Sequence, residues 1–256
     1  MGRLKLRQLG PSSHSRKVKC CFLELEAADI AVNLPKKAVL KVFDPKYIDE
    51  RRYGGRWFEW TAKAERQAMD QRGTGAYEDW CQSDDYDENS EQAAAMFEES
   101  LHRMMLESYN MERSAYQALA SMQGCHIPRL YAYGTVQTQP ARALNPPFVL
   151  IEYIANAVKL SEMHERLSSD VQKMAADLCS AVDQFASLGV VHTDINRKNI
   201  LIAPDRVVII DFGCAGVRSI FDYGDLTEEE QQVDWELAVD QNQDSRWIRH
   251  ELGISR

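Results

Sequence analysis

Three oxygen-bearing side chains lie around a short predicted hairpin in the stretch VVHTDINRKNILIAPDRVVIIDFGCAG, residues 190–216. The apolar segments ILIA and VVII flank a turn at Asp205, so Asn199 precedes one strand and Asp211 follows the other. Antiparallel pairing brings both side chains to the same end of the hairpin. Amide and carboxylate oxygens are ligands that magnesium prefers. Asp194 lies on the same loop, where it can accept a proton from an attacking hydroxyl group.

This spacing resembles the protein-kinase-like superfamily, which carries H-x-D-x-x-x-x-N followed by D-F-G. Here the pattern is formed by His192, Asp194 and Asn199, with D-F-G at residues 211–213. The resemblance implies that Asp194 is the catalytic base, that Asn199 and Asp211 bind magnesium, and that His192 braces the loop. Isolated Asp and Asn residues usually only make turns, but their joint spacing favours the functional interpretation.

The resemblance also implies a strand lysine that binds phosphate and a helix glutamate that pairs with it. In the segment AVLKVF, Lys41 shares a strand face with Phe43, so its ammonium group lies against apolar surface and needs an anion. Glu112 is an acid in the middle of an apolar helical stripe. We therefore expect the two residues to form one ion pair. Glu107 on the same helix is the alternative acid, and a lysine that extends to solvent at a sheet edge is the alternative for Lys41.

The segment IEYI falls where the superfamily's hinge holds adenine through backbone groups. By resemblance, the carbonyl of Glu152 and the amide of Ile154 are the adenine contacts. ATP and Mg²⁺ are the implied cofactors. The implied reaction transfers the γ-phosphoryl group to a hydroxyl acceptor, with a protein serine or threonine as one candidate.

Three features depart from the superfamily's pattern. The turn that should cover the phosphates contains one glycine, Gly10, followed by PSSHS. Asn196 stands where serine/threonine kinases carry a lysine, and no A-P-E follows Gly213. Two other interpretations therefore stay open: a pseudokinase that serves as a nucleotide-binding or scaffolding module, and a small-molecule kinase.

Hydrophobic patterning predicts the elements that must position these residues. Apolar alternation predicts strands at LKLRQL, KCCFLELE, AVLKVF, RLYAYGTV and FVLIEYI, a sheet of about five strands. Helical periodicity predicts helices over residues 91–122 and 169–188, one that begins with a capping box at Thr227, and a last helix at 245–252. Residues 44–90 show neither pattern. Because residues 73–100 carry nine carboxylates and no Lys or Arg, we expect an acidic insertion or flexible loop in this region.

The expected fold is α+β. The resemblance implies a two-lobed protein-kinase-like fold, with ATP and magnesium in the cleft between the lobes. The N-lobe, residues 1–154, contains the antiparallel sheet, the long helix and the acidic insertion at about 44–90. The C-lobe, residues 155–256, is a shortened helical lobe with the catalytic loop and D-F-G. The insertion, HIPRLYAYG and GVVHTDINRKNILI are most similar to fungal protein-kinase-like proteins of unassigned substrate.

Composition excludes several classes of protein. The 256 residues are 45% hydrophobic and 27% charged, as in an ordinary globular domain. The net charge of −9 argues against nucleic-acid binding. No apolar run is long enough to span a membrane, and no signal peptide is recognised, so we expect no membrane partner. The six cysteines form no C-x-x-C pair, and we interpret them as reduced, packed thiols of an intracellular, cytoplasmic or nuclear, protein.

Overall fold

The computed structural model describes residues 6–11, 19–25, 34–48, 51–53, 56–83, 87, 90–138, 140–163 and 167–254. Most of the glycine-poor turn, from Ser12 to Ser15, lies outside these residues. Within the described part of the chain, no helix is both long and apolar enough to cross a membrane.

Contacts divide the chain into two compact units. Unit 1 contains Met1–Tyr109 and Ala132–Leu150, and unit 2 contains Asn110–Tyr131 and Ile151–Arg256. The predicted division at residue 154 stays a prediction. The contacts group the last part of the long helix with unit 2, although it precedes that point in the chain.

The described residues form a mixture of helices and strands, which confirms the α+β class. The α-helices are α1 (Ala62–Gln71), α2 (Ala76–Gln82), α3 (Glu91–Ala118), α4 (Ser169–Val182), α5 (Glu228–Asn242) and α6 (Asp244–Leu252). The longer strands are β1 (Leu6–Pro11), β2 (Lys19–Leu25), β3 (Lys37–Val42), β6 (Leu130–Thr135), β7 (Pro147–Glu152), β10 (Ile200–Ile202) and β11 (Val207–Ile209). The two-residue strands are β4 (Arg52–Tyr53), β5 (Arg56–Trp57), β8 (Val158–Lys159), β9 (Val190–Val191) and β12 (Gly216–Val217).

The predicted sheet of five strands is confirmed, with the order β1-β2-β3-β7-β6. Strands β2 and β3 pair antiparallel from Lys19 opposite Val42 to Glu24 opposite Lys37. The N–H group of Phe43, just after β3, donates to the carbonyl of Pro147 at 2.9 Å. Strand β3, which carries Lys41, therefore lies in the interior of the sheet rather than at an edge.

Helix α3 buries the apolar stripe that its sequence predicts. Met105, Ala115 and Leu119 have no exposed surface. The other residues of the stripe are almost as buried: Phe97, Leu101 and Ser108. The helix ends at Ala118 and continues as a 3-10 turn to Met122, close to the predicted end. The periodicity predicts this helix well because one face is buried along most of its length.

The prediction of a loop is wrong for residues 62–82, which form α1 and α2. Helix α1 begins after Thr61, whose hydroxyl accepts a hydrogen bond from the N–H of Ala64 at 3.1 Å. Its buried face contains Glu65 and Ala68. Because the buried residues of α1 are two alanines and a glutamate, the helix lacks the stripe of large apolar side chains by which helices are predicted.

Glu65 is buried because Arg142 neutralises it. The guanidinium of Arg142 bonds both Glu65 and Asp44, at 2.7 Å to Asp44 Oδ2, and Trp60 Nε1 donates to Glu65 at 2.9 Å. Burial raises the pKa of Glu65, but the bonds from Arg142 and Trp60 outweigh burial and hold that pKa below its ordinary value. Leu144 adds a backbone N–H donor to the same carboxylate.

Arg51 forms a second buried charge centre, with 2% of its surface exposed. It pairs with Glu98 of α3 and donates to the carbonyls of Pro45 (2.8 Å) and Phe58 (2.9 Å). Burial raises the pKa of Glu98, and Arg51 only partly opposes that rise. The segment that the composition assigns to a loop is thus fixed to α3 by buried ionic contacts.

Cysteine packing differs from the prediction. Cys179 is buried, whereas Cys81, Cys125 and Cys214 are exposed, and none of these four residues forms a disulfide bond. Apolar neighbours in the sequence predicted burial correctly for Cys179 but not for the three exposed thiols.

Replacing Arg142 with Ala is expected to lower the free energy of unfolding by about 3–5 kcal/mol, because Asp44 and Glu65 lose the cation that they share. Lys63→Ala is the matched control, since its pair with Glu91 is exposed on both sides. We expect at most about 1 kcal/mol for the control. Urea denaturation followed by tryptophan fluorescence measures both losses, and equal losses would contradict this role for Arg142.

Candidate functional site

The predicted hairpin is formed by β10 and β11 in unit 2. Ile200 pairs with Ile209, and the N–H of Ile210 donates to the carbonyl of Asn199 at 2.9 Å. This last bond extends the pairing to the residue before β10. Asp211 follows Ile210 directly, so Asn199 and Asp211 come to one end of the hairpin.

Asp194 is exposed, and both of its carboxylate oxygens accept hydrogen bonds from amide side chains of its own loop. The Nδ2 group of Asn196 donates to Oδ1 at 2.9 Å, and that of Asn199 donates to Oδ2 at 3.0 Å. Asn199 Nδ2 also donates to the carbonyl of Asp194 at 3.0 Å. Since the nitrogen of Asn199 is directed to Asp194, its Oδ1 is available as an acceptor.

His192 is completely buried, and its ring is held on both sides by backbone groups. Nε2 lies 3.1 Å from the carbonyl of Ile210, and the N–H of Asp194 donates to Nδ1 at 3.4 Å. Burial lowers the pKa of His192, although the Asp244 carboxylate opposes this shift. A neutral ring with its proton on Nε2 satisfies both contacts. Both ring nitrogens thus contact backbone groups of the site, and the role of His192 as a brace stays a prediction.

The Phe212 ring of D-F-G is buried in an aromatic cluster within unit 2. Its centroid lies 4.7 Å from that of His192, 5.5 Å from Tyr116 and 6.1 Å from Phe185. The cluster links the end of α3 and the segment after α4 to the residues on both sides of the hairpin. Phe212 therefore anchors the backbone that carries Asp211.

Asp244 is a positioning residue that the sequence reasoning missed. Its buried carboxylate accepts hydrogen bonds from the N–H groups of His192 and, at 3.3 Å, Thr193. An aspartate just before a predicted helix is an ordinary N-cap residue, so the sequence pattern does not single out Asp244. Asp244 is the first residue of α6. Its carboxylate accepts from two N–H groups that lie 51 and 52 residues earlier in the chain.

Two residues of the site adopt the left-handed backbone region that non-glycine residues rarely occupy. Thr193 has φ of 62° and Asp211 has φ of 72°. The conformation is unfavourable for a β-branched residue such as Thr193. Its hydroxyl donates to the carbonyl of Cys214 at 2.6 Å, and its N–H bonds Asp244, so contacts on both sides hold it in place.

Arg197 fastens the other half of the loop. It donates to the carbonyls of Leu160 at 2.9 Å and Glu251 at 3.3 Å, while its own carbonyl accepts from the N–H of Ser161. These contacts tie the loop to the turn after β8 and to α6. The loop is thus bounded by fixed points before Asp194 and after it.

Lys41, Glu112 and Glu107 differ in burial. Lys41, in unit 1, is 4% exposed, and its Nζ lies 5.9 Å from the centroid of the Phe43 ring on the predicted strand face. Glu112, in unit 2, has no exposed surface, whereas Glu107 is exposed. A buried acid requires a counter-charge and an exposed one does not. Burial therefore favours Glu112 over Glu107 as the residue that needs a cation.

The predicted hinge residues lie at the end of β7 and just beyond it. The carboxylate of Glu152 accepts from Arg206 at 2.6 Å and from the N–H of Arg129 at 3.1 Å. Ile154 is buried and packs with Ala203 and Val208. Side-chain contacts thus fix this segment within unit 2, and its role toward adenine stays a prediction.

The donor set at the hairpin end fits Mg²⁺. Asn199 Oδ1 and the Asp211 carboxylate are oxygen donors, and magnesium takes one or two carboxylates together with phosphate and water oxygens. Among the described residues, no group of three or more His, Cys, Asp or Glu side chains could hold a metal by itself. Two such donors leave the other positions of an octahedral magnesium ion to phosphate and water oxygens.

A cavity of about 660 Å³ lies elsewhere in unit 2. Val190 and Val191 of β9, Phe185, and Asp244 are among its lining residues, but Asp194, Asn199 and Asp211 are not. The cavity is therefore distinct from the candidate metal site.

The match to a family model places the chain in the protein-kinase-like superfamily, a class of ATP-binding phosphotransferases. The chain belongs to the RIO domain family, which matches residues 82–217, more than half of its length. This membership confirms the predicted superfamily and the kinase-like α+β fold. The similarity to fungal proteins of unassigned substrate stays a prediction.

Among solved structures, the chain is similar to a mutant of the Mycobacterium tuberculosis PknI kinase domain. The TM-score is 0.42 at 14% identity, and the match covers 82% of this chain and 59% of that chain. The chain thus spans less than two thirds of the length of that structure. The comparison with curated proteins found no match. The family match carries the assignment.

Asp244→Ala is expected to lower the free energy of unfolding by about 1–3 kcal/mol, because the N–H groups of His192 and Thr193 lose their acceptor. Hydrogen exchange at residues 192–194 should become faster. Asp225→Ala, an exposed aspartate in the turn before α5, is the control and should change neither quantity. Unchanged exchange at residues 192–194 in Asp244→Ala would contradict the positioning role.

Proposed function

We propose that this protein transfers the γ-phosphoryl group of ATP, with Mg²⁺, to a hydroxyl acceptor, including serine or threonine of a protein. One observation carries the proposal: Asn199 fixes the exposed carboxylate of Asp194 and lies beside Ile210–Asp211 at the hairpin end. The proposed proton acceptor and the proposed metal-binding oxygens thus come from the loop before β10 and from the residue that follows Ile210, at one end of the hairpin, which is the arrangement that phosphoryl transfer to a hydroxyl requires.

Asp194 orients the acceptor and takes its proton. Amide groups fix both carboxylate oxygens, yet the residue is exposed, so a hydroxyl group can reach it. As the acceptor oxygen bonds the γ-phosphorus, its proton passes to Asp194, and the bond from that phosphorus to the bridging oxygen breaks with the electron pair leaving on ADP. The neutral His192 holds the N–H of Asp194 and takes no part in proton transfer.

Asn199 and Asp211 would hold the metal through Asn199 Oδ1 and the Asp211 carboxylate. When bound, Mg²⁺ neutralises negative charge on the phosphates. The buried Phe212 ring anchors the backbone that carries this carboxylate. The chain therefore supplies a preorganised donor pair rather than a complete metal cage.

Lys41 and Glu112 complete the proposed machinery. Each is a buried charge, and a buried charge is tolerated when it has a partner of opposite sign. In the proposal, Lys41 binds phosphate oxygens and Glu112 orients Lys41. Backbone groups of Glu152 and Ile154 are the proposed adenine contacts.

Two variants separate binding from transfer. Asp211→Ala is expected to remove magnesium-dependent ATP binding in calorimetric titrations, because half of the donor pair is lost. Asp194→Ala should keep ATP binding but reduce transfer of label from γ-labelled ATP by about 10²–10⁴-fold, since only the proton acceptor is lost. The acceptors to be tested are the protein itself, serine- and threonine-containing peptides, and small hydroxyl compounds.

Asp205→Ala is the matched control, because Asp205 is exposed at the opposite end of the same hairpin. It should leave binding and transfer unchanged. No binding of MgATP to the wild-type protein at millimolar concentration, about −4 kcal/mol or weaker, would refute the nucleotide site. Binding that requires Asp211 without transfer to any acceptor would refute the transferase and identify a pseudokinase.

A double-mutant cycle tests the Lys41–Glu112 pair. Lys41→Met and Glu112→Gln should each weaken ATP binding, and their effects should be non-additive by about 0.5–3 kcal/mol, because the second change removes a partner that is already missing. Lys41→Met with Glu107→Gln is the control cycle, which should be additive. Additivity in the first cycle would exclude the pair.

A further inference from the structure

Helix α5 presents two large apolar side chains to solvent on one face. Val233 is 55% exposed and Leu237 is 51% exposed, and their spacing of four residues places them side by side. Trp235, on the opposite face, is 5% exposed and is the helix's buried contact. A surface helix usually turns polar residues outward, so this apolar pair is not explained by the folding of unit 2.

Leu226 extends the apolar surface at the start of α5. It precedes the N-cap Thr227, a position from which an apolar side chain normally packs on the fourth residue of the helix. Here that fourth residue is Gln231, a polar residue that donates instead to the carbonyl of Leu226 at 2.8 Å. Leu226 is accordingly left 37% exposed.

Carboxylates surround the apolar pair. Helix α5 contains six acidic residues and no Lys or Arg: Glu228, Glu229, Glu230, Asp234, Glu236 and Asp240. At 100° per residue, five of them border the face of Val233 and Leu237: Glu229, Glu230, Asp234, Glu236 and Asp240. All five are exposed.

Only some of these acidic residues stabilise helix α5 at their positions. Acids in the first turn are favoured by the helix dipole, and the capping box uses Glu230. Asp240, in the last turn, opposes the dipole, and it lies four residues from Glu236, so the two carboxylates repel each other. These two acids are unfavourable for the isolated helix, and a cationic partner would relieve them.

We propose that Leu226, Val233, Leu237 and the bordering carboxylates form a docking surface, the α5 face, for a basic amphipathic helix of another protein. Charge complementarity selects this occupant: leucine-like side chains would cover the apolar pair while lysine or arginine side chains meet the acids. A second copy in a two-fold interface would place one acidic face against another. The surface of anionic lipids is repelled for the same reason. This inference does not depend on phosphoryl transfer.

The test uses a synthetic 14-residue peptide of Leu and Lys in an amphipathic helical pattern, labelled for fluorescence anisotropy. The full-length protein should bind it, and added salt should weaken binding because charges meet at the surface. The double variant Val233→Ser, Leu237→Ser should weaken binding about tenfold or more. The variant Glu236→Gln, Asp240→Asn should weaken binding and reduce its salt dependence.

Leu188→Ser is the matched control, because Leu188 is also an exposed leucine of unit 2. It should leave binding unchanged, and a peptide with Glu in place of Lys should not bind. Thermal melting checks that the exposed substitutions leave the fold intact. No binding by the wild-type protein, or equal binding by the Val233 and Leu237 variant, would overturn the proposal. Self-association that this variant abolishes would assign the face to a second copy and overturn it as well.

Discussion

The loop between β9 and β10 has no regular secondary structure, and side chains satisfy several of its backbone N–H groups. Asp244 accepts from His192 and Thr193, the ring of His192 accepts from Asp194, and the side chain of Asn196 accepts from Lys198. Each of these acceptors is a residue with a fixed position of its own. The direction in which the Asp194 carboxylate points therefore depends on this set of contacts rather than on a strand or helix.

In unit 1, the groups that need distant partners are buried charged side chains. Arg142 reaches Asp44 across 98 positions of sequence, and Arg51 reaches Glu98 across 47. Buried ion pairs of this kind are poor sources of net stability, but removal of one partner is costly, so they select one arrangement of the chain over others. They fix the residues after β3 and the start of α3, between which α1 and α2 are held.

Sequence patterns predicted what is encoded locally. Alternation predicted the strands, the apolar stripe predicted α3, and spacing predicted the hairpin that joins Asn199 to Asp211. The missed features depend on partners that are distant in sequence. Helix α1 buries Glu65 because Arg142 pairs with its carboxylate, and Asp244 accepts hydrogen bonds from loop N–H groups 51 and 52 residues earlier in the chain. No periodicity or short motif carries such information. The same limit explains the exposed Val233 and Leu237, since an apolar residue in a sequence predicts burial.

Asn196 shows how a departure from the superfamily's pattern changes the electrostatics of the proposed reaction. The side-chain amide of Asn196 donates to Oδ1 of Asp194 and orients this carboxylate as a lysine could, but the amide brings no positive charge. The loop therefore offers less stabilisation to the phosphates than it would with a lysine at this position. In the proposed reaction, that stabilisation must come from Lys41 and from the metal held by Asn199 and Asp211. The role of Asn199 is then twofold, because one amide group both orients the base through its nitrogen and presents its oxygen to the metal.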